Sequence, residues 1–157
     1  MRKMILSCPA YTQMSEGGYH GKAHAENVLK NAQKICAEMN IPMSMELEAA
    51  CLLHDVGRTS DKKDDNHGSV SIEKCLNISF PSSFNFERFK IMVEGHCKKP
   101  DVDKSRFLDF QILCDADRMD RVRLKYLKNP LKSLNVKYFH TEEAKKMIEA
   151  KRYDTIG

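Results

Sequence analysis

No segment of the chain approaches the roughly 18 to 20 consecutive apolar residues that a membrane-spanning helix needs. The apolar part of the N-terminal stretch MRKMILSCPAYTQM is too short for a signal peptide, so a soluble, cytoplasmic protein is expected. Paired cysteines are missing as well. Cys8, Cys36, Cys51, Cys75, Cys97 and Cys114 are scattered without a C-x-x-C, mostly in apolar helical surroundings, which fits reduced core thiols better than a disulfide framework. The glycine-rich G-x-G-x-x-G, the P-loop and the G-x-S-x-G elbow do not occur, which removes the commonest dinucleotide, nucleoside-triphosphate and serine-hydrolase signatures. DKKDDNHG is acidic but lacks the register of a calcium loop. No alternating strand pattern persists, no repeat is visible, and basic residues nowhere interleave with aromatics as a nucleic-acid stacking platform requires.

What is present is enough for one core. With 157 residues, 41% of them hydrophobic, one domain spanning 1–157 is expected. The net charge is +4, from 26 basic and 22 acidic residues that are interspersed rather than gathered into a tract. That balance argues for a small anionic substrate over nucleic acid, and it leaves oligomeric state open. Asn77-Ile78-Ser79 matches a glycosylation acceptor, which in an intracellular chain is a chance match.

Helical spacing dominates. From Lys22 to Met39 the apolar positions Ala25, Val28, Leu29, Ala32, Ile35, Cys36 and Met39 recur at three- and four-residue steps, with Asn40 and Pro42 as the stop. Ser44 caps a second helix whose first turn carries Glu46 and Glu48, and which runs into His54 and Asp55 with Gly57 as its stop. Residues 58–66 read as a charged loop and about 67–76 as a third helix. Pro81 breaks the linker that follows, Ser83 is a candidate cap, and Phe86, Phe89, Val93 and His96 mark a fourth helix. After a turn in KKPDVDKS, the steps Leu108, Ile112, Asp115, Met119, Val122 predict a helix from Arg106 to about Leu127. RVRLKYLKNPLK reads as an exposed basic face. HTEEAKKMIEAKRY, capped by Thr141, predicts the last helix, and the whole reads as all-α.

Five positions on four segments then stand out. His24 shares a face with Val28, Ala32 and Ile35; His96 with Phe89 and Val93; Asp115 with Leu108, Ile112 and Met119; and CLLHDVGR drives His54 and Asp55 into an apolar run. One buried histidine is ordinarily a satisfied core residue. Five ionisable groups aimed inward would each need a partner, and unpartnered burial costs several kcal/mol. A shared metal ion satisfies them together, since imidazole nitrogen and carboxylate oxygen are the donors iron, manganese, nickel, cobalt and zinc accept. Adjacent helical residues diverge by about 100°. His54 and Asp55 can therefore reach one ion only from a loosening helix end.

HAENV (His24), LLHDVG (His54, Asp55) and LCDADRMD (Asp115), in that order, resemble the H…HD…D fingerprint of the HD-domain superfamily of metal-dependent phosphohydrolases. The resemblance covers about residues 20–125 and leaves a tail, 126–157, outside it. It implies a compact all-α helical bundle in which His24, His54, Asp55 and Asp115 hold a first divalent transition metal. His67 and His96 stand where binuclear members place ligands for a second ion, with Asp55 as the bridge. His67 reads equally as a surface residue or helix cap. The implied activity is hydrolysis of a nucleotide or other small phosphorylated metabolite, with Asp55 and Arg58 as catalytic residues. Two other functions stay open: a mixed-valent di-iron oxygenase, as in one branch of the superfamily, and a metal-binding sensor without turnover. Substrate contacts are expected from Arg58, Arg118 and Arg121, and from His20, which alternatively only begins its helix. Arg118 reads equally as solvated or paired with Asp117 or Asp120, and Lys62 and Lys63 as solvated.

Overall fold

A computed structural model describes residues 1–98, 107–123 and 134–150. Among these there are eight α-helices and no strand, as the spacing predicts: α1 (Arg2–Ser7), α2 (Pro9–Thr12), α3 (Lys22–Glu38), α4 (Met45–Leu53), α5 (His67–Cys75), α6 (Phe86–Gly95), α7 (Leu108–Met119) and α8 (Glu142–Glu149). Short 3-10 turns occupy Asp120–Arg123 and Val136–Tyr138. No helix among the described residues is long and apolar enough to cross a membrane.

The centre of the bundle is α4, whose Leu47, Ala49, Ala50, Cys51, Leu52 and Leu53 are all fully buried. A helix apolar on every side must be surrounded. α3, α6 and α7 pack on α4, α5 packs on α6, and α1 and α2 close the N-terminal side with Ile5 and Tyr11. Ser44 caps α4 by accepting from Leu47 N at 3.1 Å, and Thr141 caps α8 by accepting from Ala144 N at 3.2 Å. The N-cap of α6 is Asn85, which accepts from Arg88 N, rather than Ser83. Asn85 N in turn donates to the buried Glu46 carboxylate at 2.6 Å, tying that cap to α4. All six cysteines are free, four of them buried and Cys97 and Cys114 half-buried.

The long helix expected after Arg106 is regular only over Leu108–Met119, then tightens into the 3-10 turn. Its expected reach to Leu127, most of the KKPDVDKS turn, the basic stretch beyond Arg123 and the last residues of the C-terminal helix lie outside the described residues. α1 and α2 carry no detectable period because they are six and four residues long. Segment 13–21 caps α3 from outside: Ser15 O accepts from Lys22 N at 2.8 Å and Glu16 O from Ala23 N at 3.2 Å. Gly18, with φ +89°, makes that return turn in a conformation side-chain-bearing residues rarely adopt.

Candidate metal centre

The HD pair sits where its helix lets go. α4 ends at Leu53, His54 is its C-cap, and the backbone turns through 54–57. Ser71 of α5 clamps this turn, its hydroxyl donating to His54 O at 2.7 Å and accepting from Gly57 N at 2.8 Å. Gly57 is there for proximity and not as a left-handed stop: a Cβ on it would lie 2.4 Å from Ser71 N and 2.5 Å from His67 O. Close approach to α5 thereby brings His54, Asp55 and His67 together.

Two pairs of imidazoles face each other. His24 Nε2 lies 3.1 Å from His54 Nε2, and His67 Nε2 lies 2.9 Å from His96 Nε2. The opposite nitrogens fix the tautomers. Nδ1 of His54 meets Cys51 O at 3.0 Å, that of His67 meets Asp64 O at 2.5 Å, and that of His96 meets Val93 O at 2.6 Å. A carbonyl only accepts, so these Nδ1 atoms carry the hydrogen and each neutral ring presents an Nε2 lone pair. His24 Nδ1 is held likewise by Asp120 Oδ2 at 2.6 Å. Two neutral rings would set lone pair against lone pair at about 3 Å, so each pair needs a proton or a metal cation shared between its Nε2 atoms. The donor set therefore fits a divalent metal.

Asp55 stands between the pairs with one oxygen toward each. Its Oδ2 lies 3.3 Å from His24 Nε2 and 3.5 Å from His54 Nε2; its Oδ1 lies 3.0 Å from His67 Nε2 and 3.3 Å from His96 Nε2. His20 Nδ1 is 2.7 Å from Oδ2, and Arg58 Nε is 3.2 Å from Oδ1. Burial pushes the Asp55 carboxyl up, but its interaction with the adjoining His54 and hydrogen bonds from His20, His24 and His67 outweigh it and hold it well below the usual carboxylate range. Burial lowers His54 to about 4, so its ring is neutral at neutral pH, as a metal ligand must be. Burial opposes charge on His24 too, yet Asp117, Asp120 and Asp55 raise it well above its ordinary value. The same negative field that draws a proton to His24 would draw a cation.

The aspartate expected from LCDADRMD is the wrong one of three. Asp115 is fully buried, but its carboxylate accepts from His140 N, Thr141 N and Thr141 Oγ1, each at 2.8 Å. It anchors the start of α8 to α7 and is not among the clustered donors. Asp117 takes that place, with Oδ1 3.3 Å from His24 Nε2 and 3.9 Å from His54 Nε2. Burial raises the Asp117 carboxyl, and the hydrogen bond and charge of His24 overcome this and hold it low. Asp120 supports from behind, binding His24 and also accepting from Asn27 Nδ2. Asp117 and Asp120 are three residues apart and so share a helix face. That spacing was the available signal.

Metal-sized groupings of donor atoms, all within 4.8 Å of one another, are His24–His54–Asp117, His54–Asp55–His96, His20–His24–Asp55 and His67–His96–Cys97. The last contains a sulfur that the spacing had not suggested. His20 is one-quarter exposed and lies at the edge of the cluster. Arg58 is beside Asp55, whereas Arg118 lies with its guanidinium 5.5 Å from the Tyr138 ring and Arg121 is exposed; neither arginine is among the imidazoles.

Five helix ends surround one buried carboxylate, with imidazoles facing in from four of them, an arrangement that could hold a metal ion. The chain belongs to the HD domain family: the model of that family matches residues 22–122. That places it in a superfamily of metal-dependent hydrolases whose members bind divalent metals. No curated protein and no solved structure matches the chain.

Proposed function

We propose that this protein is a binuclear metal-dependent phosphohydrolase acting on a small phosphorylated metabolite. The observation that carries the proposal is Asp55: one buried carboxylate shared between two imidazole pairs, with the Arg58 guanidinium on the same oxygen as the second pair. His24, His54 and Asp117 would hold one ion and His67 and His96 the other, with Asp55 bridging. The ions, when bound, would supply the positive charge that acidifies water and neutralises the phosphoryl oxygens. Arg58 would add a fixed cation for the charge spread over those oxygens. In the reaction, water oxygen bonds to phosphorus and the bond to the leaving oxygen breaks. One water proton ends on the leaving oxygen, and the other stays with the released phosphate. Asp120, Ala50 O, Cys51 O, Asp64 O and Val93 O keep the four imidazoles turned with Nε2 inward.

The test is metal content followed by phosphate release. Protein loaded with manganese, iron, nickel, cobalt or zinc is expected to retain two ions per chain and to release phosphate from a panel of phosphoesters, and Asp55→Ala to abolish release. Two bound irons with oxygen uptake driven by an organic compound, and no phosphate, would replace the proposal with an oxygenase. Retained metal with silence in both assays would leave a sensor.

A further inference from the structure

Between segment 13–20 and residues 56–61 lies a cleft of about 280 Å³ whose floor is made by His20 and Asp55. It therefore opens onto the carboxylate at the middle of the donor cluster. One wall, from Ala10 to Gly18, comes from outside the residues that match the family. Ligand pockets for drug-sized molecules run from about 300 to 1,000 Å³, so this cleft holds one small molecule and no more.

The charges in it are of both signs. Arg58 is held at the Asp55 end by its 3.2 Å contact with Oδ1, and Lys74, which also lines the cleft, donates to Val56 O at 2.9 Å with two ammonium hydrogens left over. Asp61 faces Gly18 across the gap, 4.0 Å from where a Cβ on that glycine would stand. A phosphate is attracted toward Arg58 and Lys74 and repelled from Asp61. The other polar lining residues are Gln13, Ser15, Thr59 and Ser60, which together with Asp61 offer an amide, hydroxyls and a carboxylate. Among the described residues no phenyl, phenol or indole ring lines the cleft, and its aromatic ring is the His20 imidazole. Stacking of a base on an aromatic side chain is worth about 1–3 kcal/mol, and only the His20 imidazole and the Arg58 guanidinium, both held against Asp55, are present here to supply it. Hydroxyl-bearing carbons are what such a lining can pair.

We propose that this cleft is the leaving-group subsite of the metal centre and takes the monophosphate of a small polyol or sugar, not a nucleotide. The phosphate lies toward Asp55, Arg58 and Lys74, and the hydroxyls face Asp61 and the 13–20 wall. The proposal rests on the phosphohydrolase assignment above, and its substrate class can fail separately. Hydrolysis transfers the phosphoryl group to water, and the polyol leaves with its oxygen protonated.

The metal-loaded protein is assayed on glycerol, pentose and hexose monophosphates, on adenosine monophosphate and on para-nitrophenyl phosphate. A polyol monophosphate is expected to have a kcat/KM about tenfold or more above that of adenosine monophosphate, the scale on which paired hydroxyls discriminate. A second measurement does not need turnover. Hexose monophosphate is expected to raise the melting temperature of the protein more than adenosine monophosphate at equal concentration. Gly17→Phe supplies the control, because a Cβ there meets nothing within 4 Å and the new ring can occupy the cleft. It should lower the hexose to para-nitrophenyl ratio of kcat/KM about tenfold and erase the hexose-induced thermal shift. Adenosine monophosphate turned over as well as the polyols, or a ratio unmoved by Gly17→Phe, overturns the substrate class alone. No phosphate from any ester by metal-loaded protein overturns the phosphohydrolase assignment with it.

Discussion

Asp115 and Asp117 sit two residues apart on one helix, and single alanine substitutions should separate structure from metal binding. Asp115 receives three hydrogen bonds at 2.8 Å, two of them from the buried Thr141. A hydrogen bond to a charged group contributes about 1.5–3 kcal/mol, and a buried donor left unpaired costs about 1–3 kcal/mol. His140 is only half-buried and its amide can find water. Removing Asp115 also relieves the burial of its own charge, which pushes that carboxyl up. The sum for Asp115→Ala is a loss of about 3 kcal/mol, or a fall in Tm on the order of 6–12 °C for a chain of this size. Metal retained by the folded variant should match the parent.

Asp117→Ala should do the reverse. Its side chain is 31% exposed and its contacts are with His24 and His54, so the metal-free protein should change in stability by less than about 1 kcal/mol. Metal affinity should fall by about 100-fold or more, since losing even a supporting residue behind a ligand costs about 10- to 100-fold. Circular dichroism melts of metal-free protein, with mass-spectrometric metal counts after dialysis, measure both quantities. A folded Asp115→Ala that has lost its metal, beside an Asp117→Ala that keeps it, would refute the assignment of the two aspartates.

Asp120→Ala removes the carboxylate behind His24 Nδ1, and metal affinity measured by chelator competition should drop about 10- to 100-fold while the protein stays folded. Gly57→Ala forces a methyl group against Ser71 N and His67 O, and should destabilise by about 1–3 kcal/mol in a denaturant titration, with metal binding impaired because the turn and α5 move apart. Of the six cysteines, only the half-buried Cys97 and Cys114 should react with a thiol reagent in native protein at mildly alkaline pH. Burial raises Cys36 to about 11 and Cys75 to about 12, and the four buried thiols should react only after denaturation.

His24, His54, Asp55 and His96 were legible as inward-facing because each shares a helix face or run with apolar residues, whereas His67, which follows a polar loop, was marked only by the family resemblance; the structure draws those five together. The last aspartate was not. Its phase was set by taking Leu108 as inward, yet Leu108 is 39% exposed, and the stripe that α7 actually buries runs through Phe110, Ile112, Leu113, Ala116 and Met119. With the stripe centred nearer Ala116, Asp115 and Asp117 fall on its two flanks. Only tertiary contacts decide which flank meets α3 and which meets the segment before α8. Gly57 was visible as a helix stop, but its service to Ser71 and His67 is a contact between distant residues that no local pattern records. The N-terminal helices were hidden by their shortness, and with them the wall over Asp55.

That wall has a consequence for how such a protein can change. The clustered donors, except His20, begin at His24, while residues 10–18 lean over Asp55 without contributing a donor to any of the metal-sized groupings. The clustered donors and the wall of the cleft are thus written on different lengths of chain. An exchanged opening segment that still folds back to cap α3 would reshape the cleft over Asp55 and leave the clustered donors undisturbed.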